Sequence, residues 1–405
     1  MSERTIQPLR GPDRVRKRPA VMFGSDGPDG VISAIKQVFN VFISEALVGT
    51  TKNISIIIHE DNSISIQSKD RGLLIEETLI DEKPAWYNVF CELNSSLGLF
   101  DEQFDLYGRK DTEELKYNSC MYYSGGTGVA ATQLASEYMN VTVVRDGMKK
   151  TLNFKKGYPC SDLHKENCDE ETYTYIHFKP DPEVFSDINI TTEKLTKMML
   201  EVAITIRELT CELTDMRNGQ NVLYCYENGI EDRCKELIGN NESTRIYTKQ
   251  IEARGRDRYN CREYDAISTV ALAFVATKGK VECYHNHRNL KYGGTHLQEL
   301  QSRIKKCLAR TLLSKFQELN DDTKLFDMEI CYEDMLNYFV IVVETACSGR
   351  CTSNWGNGTQ ESITNKMITD MTADLINDDF DFYLRVNASK ILKCLKEIYG
   401  KRTSK

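Results

Sequence analysis

The hydrophobic pattern of this chain changes period between residues 48 and 53, and that change limits what it can fold into. From residue 30 to residue 48 the apolar residues fall at helical spacing: Val31, Ile35, Val38, Phe39, Phe42, Ile43 and Ala46. Intervals of three and four residues line one stripe of a helix. From residue 53 to residue 67 the pattern alternates instead. Ile54, Ile56 and Ile58 precede Asp61-Asn62, and Ile64 and Ile66 follow it. Alternation on both sides of a short polar turn predicts a hairpin.

The same reasoning predicts helices over residues 84–97, 129–138, 192–207 and 293–318. One more helical stretch runs over 359–375 and 382–399, interrupted near Asn377-Asp378-Asp379. Strands are predicted over 141–145, 149–154, 173–178, 264–276, 280–285 and 338–345, with a second hairpin over 211–225. Residues 98–120 are charged and irregular, so a mobile loop is expected there. A chain of 405 residues is long for one core. The expected boundary lies near Glu227-Asn228-Gly229-Ile230, giving domains 1–230 and 231–405.

Charge and cysteine content exclude several classes. The net charge is −8, whereas a dedicated nucleic-acid-binding domain is usually basic. The local basic runs at 14–18, 254–262 and 401–405 read as solvated surface, the last as a frayed tail. No unbroken apolar run of bilayer length is evident, and the polar start Met1-Ser2-Glu3-Arg4 has no signal-peptide core. A cytoplasmic chain with no membrane partner is expected. The 14 cysteines form no C-x-x-C pair, which suits small buried hydrophobes in a reducing compartment. Cys283, His285 and His287 would share one face of a strand, but no fourth ligand is evident, so no metal site is expected.

Several segments carry a family likeness. Residues 14–25 read Arg-Val-Arg-Lys-Arg-Pro-Ala-Val-Met-Phe-Gly-Ser, and the first helix ends Glu45-Ala46-Leu47-Val48-Gly49. The hairpin contains Ile58-His59-Glu60-Asp61-Asn62-Ser63-Ile64, and Phe178-Lys179-Pro180-Asp181-Pro182 comes later. Arg207-Glu208-Leu209, Tyr226-Glu227-Asn228-Gly229-Ile230 and Gly293-Gly294-Thr295-His296 follow. On these segments the chain resembles the GHKL ATPases over nearly its whole length. Within them it is similar to the ATPase region of gyrase B and its topoisomerase IV counterpart. The resemblance implies an α+β fold: a GHKL (Bergerat) sandwich of a mixed sheet and a helical layer, then a ribosomal-protein-S5-like transducer domain. For active members it also implies ATP and magnesium, a homodimer closed by an N-terminal arm (here residues 5–10), and a topoisomerase partner acting on DNA.

The departures fall on positions with a defined role in that family. The general-base glutamate corresponds to Gln37, and a neutral amide cannot take a proton from water. The magnesium-binding asparagine corresponds to Val41, which offers no oxygen to a hard cation. The adenine-reading aspartate corresponds to Ser68. In the turn that follows, Asp70 replaces a glycine, bringing negative charge toward the expected phosphates, and Leu74 replaces a proline. The transducer lysine corresponds to Thr352. Ser44, Glu45, Arg71, Gly72, Gly125, Gly126, Gly128 and Thr174 complete the pocket that the resemblance implies. Thr174 would back the adenine site or simply be a β-branched strand residue.

These losses together suggest a degenerate paralogue, a dimeric binding or regulatory module with no cofactor. The competing expectation is a divergent gyrase-B-like topoisomerase component that still hydrolyses ATP. A third is a pocket recruited for another small molecule. The chain contains no Toprim segment of Glu…Asp-x-Asp type, so it is not expected to cut DNA alone.

Overall fold

The computed structural model describes residues 9–47, 49–73, 75, 83–93, 128–256, 264–318, 334–347, 355–356 and 361–403. The loop expected over 98–120 lies outside the described residues. Contacts divide the chain into two compact units. The first is Met1–Ala203 with Glu208–Cys225, and the second is Ile204–Arg207 with Tyr226–Lys405.

The first unit is built around the helix that the opening pattern predicts. Two short helices, α1 (Asp13–Arg16) and α2 (Pro19–Phe23), lead into α3 (Pro28–Leu47). Val31, Ile35, Val38, Phe39, Phe42 and Ile43 on α3 are all fully buried. The hairpin follows as β1 (Asn53–Ile58) and β2 (Ile64–Ser68), paired antiparallel. After α4 (Ala85–Cys91) and α5 (Val129–Leu134) come β3 (Ser136–Arg145), β4 (Met148–Lys155), β5 (Tyr158–Pro159), β6 (His164–Asn167) and β7 (Tyr173–Pro180). Helix α6 (Thr192–Thr205) and the hairpin of β8 (Thr210–Asp215) and β9 (Gln220–Cys225) complete the order.

Among the described residues the strands form one sheet in the order β5-β4-β3-β7-β2-β1-β8-β9, with β6 on β4. The pairings described are antiparallel except β1 with β8, which makes the sheet mixed. Ile54, Ile56, Ile66, Val141, Ile176 and Leu213 are buried on it. Two expectations need correction here. The helix expected over 129–138 stops at Leu134, because Ser136 and Tyr138 join the ladder opposite Pro180 and Lys179. Arg16 is not a solvated surface charge: it is 15% exposed and pairs with Asp181 at 2.6 Å. Helix α3 is by length and composition apolar enough to cross a membrane, and 67% of that stretch is buried.

The second unit holds α7 (Ile230–Ile238) and the sheet β10-β11-β14-β12-β13. Its strands are β10 (Tyr247–Gly255), β11 (Tyr264–Phe274), β12 (Val281–His285), β13 (Arg288–Asn289) and β14 (Phe339–Cys347). Helices α8 (Thr295–Glu318), α9 (Lys366–Ala373) and α10 (Asp378–Thr403) supply Leu300, Ile304, Ile368, Leu384 and Ile391 to a core shared with Val270, Ile341 and Val343. The helical stretch expected from residue 359 begins only at Lys366 and breaks after Ala373. The expected strand run Cys283-His285-His287 ends at His285. Asn286 and His287, at φ 46° and 61°, form the two-residue turn that returns the chain as β13.

Candidate functional site

Helix α3 has a second row beside its core stripe, in which Gln37, Val41 and Glu45 follow one another a turn apart. Gln37 and Val41 are half-buried, and Glu45 is 3% exposed. Ser44 turns back on its own helix, donating from Oγ to the Asn40 carbonyl at 2.9 Å. Glu45 is held from two sides. Arg71 Nε donates to its Oε2 at 2.9 Å and Thr50 Oγ1 donates to the same oxygen at 2.7 Å. The ion pair ties α3 to the turn after β2, and charge-assisted hydrogen bonds of this kind are the stronger sort.

That turn packs tightly. Gly72 lies at φ 74°, and a Cβ there would come within 2.7 Å of the Val144 carbonyl and 2.8 Å of the Arg145 Cβ. Arg145 Nη1 donates to the Gly72 carbonyl at 3.2 Å.

Asp70 is not on an open cleft, contrary to expectation. It is 7% exposed, and its carboxylate is taken up by three internal donors. Ser68 Oγ donates to Oδ2. The Gly72 amide donates to Oδ1 at 2.8 Å, and Thr174 Oγ1 donates to Oδ1 at 3.0 Å. Thr174 in turn accepts from the Leu73 amide at 3.1 Å. Burial pushes the Asp70 carboxyl above the usual carboxylate range, and the nearby Glu45 charge adds to the rise. The three hydrogen bonds oppose that rise by favouring the ionised form.

Sequence reasoning missed this circuit. Ser68 and Thr174 face each other in the β2–β7 ladder, a signal that exists only once the pairing is known. It also missed Gln133 on α5, which is 1% exposed with both amide atoms lacking a partner. Gly128, at φ 75°, starts α5. Leu74, Gly125, Gly126 and Thr352 lie outside the described residues.

The remaining candidate separates into unrelated contacts. Cys283 Sγ meets His296 Nε2 at 3.0 Å, His285 Nδ1 meets Thr345 Oγ1 at 2.9 Å, and His287 Nδ1 meets Thr205 Oγ1 at 3.0 Å. Among the described residues no group of three or more side chains could hold a metal.

Gln37 in that row has no basic site for a water proton, and Val41 ends in methyl groups with no oxygen to offer a cation.

Comparison with known proteins gives a consistent picture. The sequence pattern of the DNA gyrase B family matches residues 229–405. The B subunit of a type 2 topoisomerase from Aquifex aeolicus is 29% identical over 75% of this chain and 36% of its own length. The B subunit of DNA topoisomerase 4 from Bacillus subtilis is 31% identical over 73% of this chain and 42% of its own length. The chain therefore spans less than half of these relatives. The 43K ATPase domain of Thermus thermophilus gyrase B, solved with an aminocoumarin, superposes with a TM-score of 0.70. That match covers 98% of this chain and 97% of the other, at 20% identity. The topoisomerase IV ATP-binding domain of Francisella tularensis gives 0.65 at 19% identity. At such identities the likeness is one of fold.

Proposed function

Starting from a chain that is gyrase-B-like in sequence and fold, we propose a module that has kept the ATPase and transducer architecture and lost the ATP chemistry. It works as a dimeric binding or regulatory protein in the cytoplasm, with a topoisomerase or DNA as its partner. In this reading the second unit is the S5-like transducer. The observation that carries the proposal is the α3 row itself. Its structural member, Glu45, is still locked to Arg71. Its two chemical members are an amide at Gln37 and a hydrocarbon at Val41.

Hydrolysis needs a base for the water and charge stabilisation on the transferring phosphate. Neither is available from this row. The purified chain shows no magnesium-dependent ATPase above background, and Gln37→Glu alone does not restore it, because Val41 and Ser68 remain. A turnover lost on Gln37→Ala would sink the proposal.

A second reading has one observation in its favour. The Asp70 carboxylate touches Thr174, so a divergent ATP-dependent topoisomerase component would read a purine through Asp70 instead of Ser68. Against it, Ser68, Gly72 and Thr174 already engage that carboxylate. Calorimetric titration separates the two. The first reading expects ATP binding weaker than about 1 mM, or less than about 4 kcal/mol. Micromolar saturation favours the second.

A further inference from the structure

Outside this site, helix α10 presents a row whose two central residues lie open to solvent. Phe382 and Val386, one turn apart, are each 66% exposed. Asp378 and Lys390 continue the same four-residue row by one turn at either end, and both are exposed. Residues four apart form one ridge on a helix surface. This ridge therefore reads acid, apolar, apolar, base. The other side of the helix is committed to the core through Phe380, Leu384, Ala388 and Ile391.

We propose that this ridge seats a second copy of the chain, docked antiparallel about a twofold axis near residue 384. Reversing the helix about that point sets Phe382 against Val386 of the copy, and Val386 against Phe382. The same operation sets Asp378 against Lys390 of the copy, twice. A patch that meets itself across a twofold must contain its own counter-charges, and this ridge does. A uniformly acidic or basic partner would leave one end facing a like charge.

Four-residue ridges interlock in the commonest class of helix crossing, at about 50°. The helices then part toward their ends, where the long Lys390 side chain bridges the gap. Lys390 Nζ now donates to the Ser243 carbonyl at 2.6 Å and lies 3.8 Å from Glu242. It is 41% exposed and exchanges Glu242 for the copy's Asp378. Just beside the ridge, exposed Ser389 falls opposite Asp379 of the copy under the same operation. The inference gives a face to the dimer of the proposed function. It rests on that part of the reading and not on the loss of hydrolysis.

The test is sedimentation of the full chain at tens of micromolar without nucleotide, with circular dichroism and ATPase measured on the same samples. The wild type sediments as a dimer. Phe382→Asp sediments as a monomer and keeps the wild-type circular dichroism spectrum, since the side chain is exposed. Asp378→Lys and Lys390→Asp each weaken the dimer roughly tenfold, because each turns two attractive pairs into two repulsive ones. The double variant Asp378→Lys/Lys390→Asp restores it, because opposite charges again meet. A monomeric wild type, an unaffected Phe382→Asp dimer, or a double variant as weak as the singles would each overturn the ridge. An unaffected Phe382→Asp dimer would leave the nucleotide-independent dimer standing elsewhere. ATP turnover would overturn the loss of chemistry and leave the ridge untouched.

Discussion

Glu45 and Gln37 lie two turns apart on one helix, and what separates them is the company each keeps. Glu45 has Arg71 and Thr50 on its carboxylate, so its role is mechanical. Two other residues allow quantitative tests. Gln133 buries an amide with neither end partnered, and leaving such a group unsatisfied costs about 1–3 kcal/mol. Gln133→Met keeps the shape and removes the polar atoms, so it stabilises the chain by about 1–2 kcal/mol. A higher urea midpoint at unchanged slope checks this. Asp215 is the opposite case, buried and satisfied. Arg217 donates to it from Nε at 2.9 Å and Nη2 at 2.7 Å, and Thr192 donates at 2.6 Å. The Arg217 hydrogen bonds lower its pKa from 3.8 to about 2. A depressed carboxylate stabilises the fold above its unfolded pKa and loses that contribution as the pH falls through the folded one. The chain therefore loses about 2 kcal/mol between about pH 4 and pH 2. Unfolding of Asp215→Asn over that window shows a flatter pH dependence.

At the level of elements, the turn after β2 is where the fold and the site depend on the same atoms. Gly72 holds a left-handed conformation with the Val144 carbonyl in the way of any side chain. Gly72→Ala must strain the backbone or push β3 away, and it destabilises the chain by about 1–3 kcal/mol. A melting temperature equal to the wild type's would show that the turn has slack. Most of the surrounding elements were legible in the sequence because their periods are clean, as with α3, β1 and β2. The misses have physical causes. Strand β10 alternates in burial, but one inward position is Lys249, whose charge hides the pattern and whose half-buried stem completes it. Helix α7 buries Ile230, Cys234 and Ile238 at four-residue spacing. Its pattern is masked in the sequence because Gly229-Ile230 reads as a boundary. The sequence carries helix α5 past Leu134 because Ala130, Ala131, Leu134 and Ala135 extend a helical run, and the claim of β7 on Ser136 and Tyr138 is invisible until the sheet is assembled. The site was legible as a set of positions. The inward turn of Asp70 was not, because one of its three donors, Thr174, comes from a strand about a hundred residues downstream.

For the whole molecule, the assembly expected of this chain is one that nucleotide does not set. A ligand shifts an equilibrium only by its differential affinity for the two states, and in the proposed function the α3 row leaves ATP little to grip. Light scattering therefore gives the same dimeric mass with and without ATP and magnesium. A monomer that dimerises only on adding nucleotide contradicts both the dimer and the loss of chemistry. The parallel pairing in the first sheet has a consequence of another kind. Strand β1 sits between β2 and β8, and its partner register runs from Asn53 with Thr210 to Ile58 with Asp215. During synthesis β1 and β2 leave the ribosome early, but β8 follows about 150 residues later. At roughly 5–20 residues per second that interval lasts on the order of ten to thirty seconds. Throughout it Asn53–Ile58 is a nascent edge strand, rich in isoleucine and open to pairing with the wrong chain. The sheet is slow to close for a topological reason, and that edge stays open until β8 arrives.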